Sequence, residues 1–163
     1  MLLDKDTAQR KIYRMAMQIA EQHFDKENLV LVGIKENGLA IAEAIYQYLT
    51  NNFTGALSVI SLSLDKRNPG DITLHPDISL KGKTIILIDD VANSGRTMLY
   101  AIKRLLNQTP AEIQTLALIE RTHKLFPIAV NYVGLSVSTG MQQYIEVQVE
   151  AGKYFTAVIK EKK

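Results

Sequence analysis

The sequence predicts an α/β fold: an open, mostly parallel sheet that is flanked by helices and carries a small β-rich appendage. Two observations support this prediction. Short, uninterrupted β-branched runs alternate along the chain with amphipathic segments, and such alternation is typical of parallel sheets covered on both faces. The chain also has 163 residues, which is close to the length of one ordinary domain. We therefore expect a single domain over residues 1–163.

The first half of the chain contains two predicted helices and two predicted strands. Apolar residues recur at steps of three and four over 6–24 and again over 39–49, so both segments are expected to be helical. The run 29–34 (LVLVGI) does not alternate, which indicates a strand buried on both faces. Residues 57–64 do alternate and are also expected to form a strand. Turn-forming residues dominate 65–83, which we interpret as a flexible loop.

The second half continues this alternation and then changes character. Residues 84–88 (TIILI) and 116–119 (LALI) are the next buried strands, and 96–106 between them has helical spacing. Pro110 marks the end of that helix. We expect the remaining strands, which are short, to form the appendage, and they cover 130–137, 144–149 and 154–159.

The composition excludes several classes of protein. The chain has no Cys, which removes disulfide frameworks, thiolate zinc sites and cysteine nucleophiles. Its 19 basic and 17 acidic residues leave a net charge of +2, too small to indicate a nucleic-acid or membrane partner. The N-terminal residues lack a secretory signal pattern, and no apolar run approaches the ~20 residues of a membrane span. These features predict a cytoplasmic protein without a membrane partner.

The stretch 84–97, TIILIDDVANSGRT, contains the residues most suited to chemistry. A buried strand leads into Asp89 and Asp90, a loop of small polar residues follows, and then a helix begins. In open α/β sheets ligands bind beyond the carboxyl ends of the strands, so a site is expected here. Ionised carboxylates only accept hydrogen bonds, and they therefore suit the hydroxyls of a sugar better than a phosphate.

The loop that follows the acidic pair is suited to a phosphate. Gly95 allows the backbone to approach a ligand closely, and the loop N–H groups, with those at the start of the helix, form an anion-binding concavity. The hydroxyls of Ser94 and Thr97 add donors. A phosphate and a diol bound together indicate a ribose 5-phosphate. A bare Asp-Asp pair also fits a helix cap with a magnesium ligand, whereas the complete pattern I-D-D-V-x-x-S-G-x-T favours the sugar phosphate; no Walker A or G-x-G-x-x-G motif is present.

This stretch resembles the phosphoribosyl pyrophosphate signature of type I phosphoribosyltransferases, with Ser94 where that family usually has Thr. Residues 31–38 (LVGIKENG) are similar to the family's pyrophosphate-binding loop. A third stretch, 119–140, resembles the bifunctional pyrimidine operon attenuator and uracil phosphoribosyltransferase family, and the resemblance spans roughly 12–159. The matching positions in that third stretch are Glu120, Arg121, His123, Lys124 and Pro127.

The resemblance implies a role for each residue of the predicted site, in three groups. Two carboxylates hold the ribose hydroxyls, one loop cradles the 5-phosphate, and a second loop with a distant cation faces the diphosphate. The acidic pair and the distant cation are the expected catalytic residues. The carboxylates are Asp89 and Asp90. The loop that cradles the 5-phosphate consists of Asn93, Ser94, Gly95, Arg96 and Thr97. The loop that faces the diphosphate consists of Lys35, Glu36, Asn37 and Gly38, and the distant cation is Arg121.

The implied reaction is the transfer of ribose 5-phosphate from phosphoribosyl pyrophosphate to a nucleobase, with uracil as the expected acceptor. Mg²⁺ is the implied cofactor and arrives with the diphosphate, so no direct protein ligand to the metal is expected. The implied fold is the type I phosphoribosyltransferase fold, with a five-stranded core, a flap at 65–83 and a hood formed mainly by 130–159. Phosphoribosyl pyrophosphate and a nucleobase are therefore the expected partners.

Two other functions remain open. The first is an RNA-binding regulator of pyrimidine genes that uses the site as a nucleotide sensor, although the net charge of +2 disfavours a large basic footprint. The second is a non-catalytic nucleotide-binding relative, suggested by the short loop 65–83 and by Asn37, where the family usually has a basic residue. A homo-oligomer is expected in each case, because helices bearing Met and Tyr offer apolar surface outside the site. The candidate RNA contacts are Arg10, Lys11, Arg14 and 160–163.

Overall fold

Parallel strands and their connecting helices make up most of the described chain. The computed structural model describes residues 1–65 and 67–162; Lys66 of the predicted loop and Lys163 of the candidate RNA contacts lie outside the described residues. The helices are α1 (Lys5–Gln22), α2 (Lys35–Leu49) and α3 (Arg96–Leu106). The strands are β1 (Asn28–Ile34), β2 (Ala56–Leu64), β3 (Ile72–His75), β4 (Thr84–Ala92), β5 (Glu112–Arg121), β6 (Tyr132–Val137), β7 (Gln143–Glu150) and β8 (Tyr154–Glu161).

Six of these strands form one sheet in the order β3-β2-β1-β4-β5-β6, and β7 and β8 form a separate two-stranded hairpin. All neighbours in the large sheet are parallel except β3, which is antiparallel to β2 at one edge. The predicted α/β class, with a mostly parallel sheet and a β-rich appendage, is confirmed. Within the described residues no helix is both long and apolar enough to cross a bilayer.

The two faces of the sheet are covered by different elements because successive residues of a strand point to opposite sides. Leu31 of β1 contributes to the core shared with α1, α2 and the β7–β8 hairpin, whereas its neighbour Val32 contributes to the core shared with α3. Both side chains are fully buried. Strand β1 is therefore buried on both faces of the sheet, as its non-alternating apolar run predicted.

Helix α1 begins where its sequence supplies a cap. The side chain of Asp4 accepts a hydrogen bond of 2.8 Å from the Thr7 N–H, which satisfies one of the unpaired donors of the first turn. Its apolar stripe, which includes Ile12 and Ile19, is fully buried. The predicted stripe extended too far, because the helix ends at Gln22 and Phe24 is 76% exposed.

Two strands depart from the predicted arrangement. The predicted loop 65–83 contains β3, which pairs with β2 through the positions Ser61↔His75 to Leu64↔Ile72. Strand β6, which was expected in the hood, instead pairs in parallel with β5 and extends the main sheet. The sheet therefore has six strands rather than five. The reason is burial: Leu74 of β3 and Tyr132 of β6 are both buried, and each draws its short strand onto the sheet.

Two boundaries that position the site also differ from the prediction. Strand β4 continues to Ala92, so Asp89 and Asp90 lie within its last four residues rather than after it. Helix α2 begins at Lys35, directly after β1, whereas 35–38 were expected to belong to a loop and the helix to start at 39. The carboxyl end of β1 therefore leads straight into the N-terminus of a helix.

Candidate functional site

A cavity of about 950 Å³ opens at the carboxyl ends of β1, β2, β4 and β5. The N-termini of α2 and α3 and part of β7 complete its walls. This is the position expected for a ligand site in an open α/β sheet. Eleven of the twelve predicted site residues line it: Lys35, Glu36, Asn37, Asp89, Asp90, Asn93, Ser94, Gly95, Arg96, Thr97 and Arg121.

The twelfth predicted residue, Gly38, lies beneath the cavity rather than in its wall. A Cβ atom built on Gly38 would lie 2.6 Å from the carbonyl oxygen of Ile88 and 3.5 Å from the Cα of Asp89. Only glycine leaves enough room for the first turn of α2 to pack this closely on β4. Gly38 therefore places the helix N-terminus beside the acidic pair.

The two carboxylates at the end of β4 are held by different partners. Asp89 is only 8% exposed, and its Oδ1 accepts a 2.9 Å hydrogen bond from the Asp90 N–H. Asp90 is half-buried. Its Oδ1 accepts from the Val91 N–H at 2.8 Å, and its Oδ2 accepts from the Asn37 amide at 2.8 Å. Hydrogen bonds from N–H groups stabilise both carboxylates in place.

The loop between β4 and α3 forms the floor of one end of the cavity. Gly95, the N-cap of α3, has φ 85°, in the left-handed region that favours glycine. The Ser94 hydroxyl accepts a 3.3 Å hydrogen bond from the Arg96 N–H, and the Ser94 carbonyl accepts from Leu125 and Phe126, each at 3.0 Å. Gly95 has no side chain and therefore supplies no cap to the N–H groups of the first turn of α3.

A second helix N-terminus faces the same space from the β1 side. The N-cap of α2 is Ile34, whose apolar side chain offers no acceptor for the first N–H groups of the helix. Lys35, the first helical residue, has φ 55° and lines the cavity. The left-handed conformation is unusual for a residue other than glycine, and such strain is concentrated at functional sites.

Arg121 lies at the end of β5, on the opposite side of β4 from Lys35. Its Nη1 donates to Asn93 Oδ1 at 3.2 Å, and its Nη2 donates to the Gly140 carbonyl at 3.1 Å. The guanidinium therefore joins the loop after β4 to the loop before β7. Lys35 and Arg121, which were both expected to face the diphosphate, therefore lie on opposite sides of Asp89 and Asp90.

Several cavity residues were not predicted from the sequence. Ser61 and Ser63 lie near the carboxyl end of β2, and the rule that ligands bind at that end of a parallel strand would have indicated them. Tyr144 and Ile145 reach the cavity from β7. No local signal marks these two, because their position depends on how the hairpin folds back over the sheet.

Comparison with known proteins agrees with this geometry. Residues 1–151 match the family described as Phosphoribosyl transferase domain. The Bifunctional protein PyrR of Haemophilus ducreyi is 32% identical over 159 residues, which cover 91% of this chain and 89% of that protein. The Bifunctional protein PyrR of Fusobacterium nucleatum is 33% identical over 160 residues, covering 91% and 90%. These relatives confirm the resemblance drawn from the sequence.

Solved structures support the fold. A hypoxanthine-guanine phosphoribosyltransferase from Bacillus anthracis matches with a TM-score of 0.76 at 18% identity, over 96% of this chain and 95% of that chain. The hypoxanthine phosphoribosyltransferase of Trypanosoma cruzi matches with a TM-score of 0.74 at 16% identity, over 85% and 81%. A sequence match over most of the chain, relatives above 30% identity and this fold lead to one conclusion: the chain belongs to the type I phosphoribosyltransferase family.

Proposed function

We propose that the protein transfers the ribose 5-phosphate group of phosphoribosyl pyrophosphate to a ring nitrogen of uracil. One observation carries this proposal: the N-termini of α2 and α3 open into one cavity on either side of a carboxylate pair. Each helix N-terminus presents unpaired N–H groups and a partial positive charge, which together bind phosphate. A ligand with phosphate groups at both ends of a hydroxylated ring matches this arrangement.

In the proposed reaction, the bond between C1 of the ribose and the diphosphate oxygen breaks, and the diphosphate leaves with the electron pair. A nitrogen of the base then forms the new bond to C1 and loses its proton. Asp89 and Asp90 accept hydrogen bonds from the ribose hydroxyls and stabilise the positive charge that develops on the ring. The loop 93–97 holds the 5-phosphate. The protein contributes mainly positioning and electrostatic stabilisation.

Mg²⁺ fits this site as an ion carried by the substrate. Among the described residues, no group of three or more His, Cys, Asp or Glu side chains converges to hold a metal ion. Mg²⁺ commonly keeps several waters and binds through substrate phosphates rather than in a protein cage. When bound, it neutralises charge on the leaving diphosphate. Lys35 and the N-terminus of α2 would then contact the remaining diphosphate oxygens.

Titration calorimetry with phosphoribosyl pyrophosphate and Mg²⁺ tests the sugar-phosphate site. We expect the double variant Asp89→Asn, Asp90→Asn to lower the affinity by about 10- to 100-fold, because hydrogen bonds to charged groups are lost. The matched control is Asp25→Asn with Asp77→Asn, which removes the same charge from two exposed positions outside the cavity. Undetectable binding to the wild type, or equal affinities of the wild type and both double variants, would refute the proposal.

The choice of base needs a separate assay. The resemblance of 119–140 to the attenuator and uracil phosphoribosyltransferase family supports uracil, whereas the structural neighbours are phosphoribosyltransferases for hypoxanthine or guanine. Diphosphate release, followed by a coupled assay with uracil, hypoxanthine, guanine and orotate, compares the candidates. Release that depends on uracil supports the proposal. Binding of phosphoribosyl pyrophosphate without release in the presence of any base would identify a non-catalytic relative.

An RNA-binding regulator is the second candidate: the resemblance of 119–140 implies it, and the packing of α1 against β8 favours it. That packing places Lys11 and Lys160 on neighbouring elements. Three of the candidate contacts are engaged internally, however: Arg10 donates to Thr7 Oγ1 at 3.0 Å, Arg14 donates to the carbonyl of Val133 at 2.8 Å, and Lys160 pairs with Glu146. A gel shift with the pyrimidine leader RNA of the source organism tests this function. A shift at low salt that fades as salt rises supports it, and no shift at low salt excludes it.

A further inference from the structure

We propose that Asn37 is a positioning residue, whose amide orients the carboxylate of Asp90 and also holds the β7–β8 hairpin over the cavity. The catalytic meaning of this inference rests on the proposed function, because Asp90 is the group expected to bind the ribose hydroxyls. The structural part, a link from α2 to the hairpin, can be tested independently.

The two hydrogen bonds of Asn37 leave from one atom. Its Nδ2 donates to Asp90 Oδ2 at 2.8 Å and to the Val147 carbonyl at 3.2 Å. An amide nitrogen carries two hydrogens, so both bonds form at the same time. Both partners are acceptors only, and this fixes which end of the amide is the nitrogen. The side chain of Asn37 is therefore directed at Asp90 and β7, and only its backbone remains for a diphosphate.

The consequence for Asp90 is a fixed carboxylate plane. One oxygen accepts from the Val91 N–H and the other from Asn37, each at 2.8 Å. A carboxylate offers about four lone-pair positions, so two bonds leave acceptor capacity for the hydroxyls of a ligand. Asn37 is also neutral, and it orients Asp90 without cancelling its negative charge, as a basic residue at this position would.

The β7–β8 hairpin is hydrogen-bonded to the rest of the protein along both of its outer edges. Val147 of β7 and Ala157 of β8 are cross-strand partners. On the β8 edge, Ala157 exchanges hydrogen bonds of 2.9 and 3.1 Å with Leu3. On the β7 edge, the Val147 carbonyl accepts from Asn37. The hairpin is thus tied to the body at the same level on both sides, close to Tyr144 and Ile145, which line the cavity.

The test uses Asn37→Asp, which keeps the size of the side chain, removes both donors and places a negative charge beside Asp90. Asn37→Ala removes the same donors without the charge, and it decides the question if the first variant does not fold. Asn51→Asp, an exposed position just after α2, is the matched control. Hydrogen exchange of the β7 amides reports on the hairpin, and calorimetry with phosphoribosyl pyrophosphate and Mg²⁺ reports on Asp90.

We expect Asn37→Ala to speed β7 exchange and to weaken ligand affinity, each by about fivefold, the loss of one hydrogen bond, and Asn37→Asp to weaken affinity further because its carboxylate repels Asp90 and the diphosphate. The double variant Asn37→Ala, Asp90→Asn is compared with Asp90→Asn alone, which by itself weakens binding because the charge of Asp90 is lost. Because Asn37 acts on the ligand through the Asp90 carboxylate, adding Asn37→Ala should cost less affinity in the Asp90→Asn protein than in the wild type, while β7 exchange becomes fast because the Val147 carbonyl lacks its donor.

Exchange and affinity that remain equal to those of Asn51→Asp would overturn the inference. Fast β7 exchange together with an equal loss of affinity from Asn37→Ala in the wild type and in Asp90→Asn would also overturn it, since Asn37 would then not act through Asp90. A wild type that does not bind phosphoribosyl pyrophosphate would instead refute the proposed function, and the exchange rates would still decide the structural link.

Discussion

At the scale of single residues, Lys35 combines a charge with an unfavourable backbone conformation. Its φ of 55° lies in the left-handed region, which costs a residue other than glycine about 1 kcal/mol or more. This conformation lets β1 turn directly into α2, so that the helix N-terminus starts at the cavity wall. Glycine would adopt it without strain but would supply no charge. The backbone conformation at position 35 therefore favours glycine, whereas binding of an anionic ligand favours the charged side chain of lysine.

Substitutions at Lys35 separate the effect of its charge from the effect of its backbone strain. Lys35→Gly and Lys35→Ala both remove the charge, and we expect both to weaken binding of phosphoribosyl pyrophosphate to the same extent. Only Lys35→Gly relieves the strain, so it should be more stable than Lys35→Ala by about 1 kcal/mol. Urea denaturation of the two variants measures this difference. Equal stabilities would show that the backbone at Lys35 is not strained.

The acidic pair and the loop 93–97 are the part of the site that could be predicted residue by residue. Their residues are contiguous, and the chemistry of a strand, a carboxylate pair and a glycine-containing loop is visible in one short stretch. All seven line the cavity. The side-chain partner of Asp90 could not be predicted, because Asn37 lies far away in the sequence and its amide reaches Asp90 only after α2 packs on β4.

At the scale of secondary-structure elements, the close packing of α2 on β4 sets the shape of the site. Gly38 occupies the point of closest approach, where a Cβ atom would meet the Ile88 carbonyl oxygen at 2.6 Å. The two nearest atoms, the Ile88 carbonyl oxygen and the Asp89 Cα, belong to the backbone, which cannot rotate away as a flexible side chain would. Any side chain at position 38 therefore has to move the helix, and with it Lys35 and Asn37.

The variant Gly38→Ala tests this packing. We expect a loss of stability of about 1–3 kcal/mol, the usual cost of overpacking, together with weaker ligand binding. Gly70→Ala is the matched control, since its nearest neighbouring atom, Asn68 Oδ1, is 3.9 Å from the added Cβ. Thermal unfolding compares the two proteins. A Gly38→Ala variant as stable as Gly70→Ala would contradict the close approach.

Elements with a clear apolar pattern were predictable, including the hairpin strands β7 and β8, whereas β3 and the pairing of β6 were not. The buried strands β1 and β4 and the helices α1 and α3 follow from their apolar patterns. Strand β3 has four residues between turn formers, too few to show a pattern. Strand β6 was recognised as a strand but assigned to the hood, because its pairing with β5 depends on a partner that is distant in sequence.

At the scale of the whole molecule, Tyr132 joins three elements on the side away from the cavity. Its hydroxyl lies 2.7 Å from Gln22 Oε1 at the end of α1 and 2.6 Å from Gln114 Oε1 of β5. Burial, with a smaller contribution from the charge of Glu112, raises the pKa of Tyr132 from 10.0 to about 12. The folded protein thus holds this phenol neutral where the unfolded chain ionises it.

The stability of the protein should therefore depend on pH in the alkaline range. A pKa raised by folding contributes stability that is present below pH 10 and is lost as the pH rises toward 12. Urea denaturation at a series of pH values should show a steeper alkaline loss for the wild type than for Tyr132→Phe. Parallel curves for the two proteins would mean that Tyr132 titrates alike in the folded and unfolded states.

The assembly state is a second property of the whole molecule. Tyr13 of α1 is 49% exposed and packs edge-on against Tyr48 of α2, with ring centroids 5.1 Å apart. We expect a homo-oligomer that uses this apolar helix surface. Sedimentation velocity should show a lower average mass for Tyr13→Glu than for Tyr154→Glu, which changes a similarly exposed tyrosine on the hairpin. A monomeric wild type, or equal masses for both variants, would contradict the expectation.

The sequence by itself determined the α/β class, the buried strands and the loop 93–97 that lines the cavity, because each depends on residues that are neighbours along the chain. Only the tertiary structure decided which distant groups share the cavity. It brought the N-terminus of α2, Arg121 and Tyr144 to the same space and paired Asn37 with Asp90. The physical reason is that strand order, helix packing and the folding back of the hairpin arise from burial of apolar surface across the whole chain.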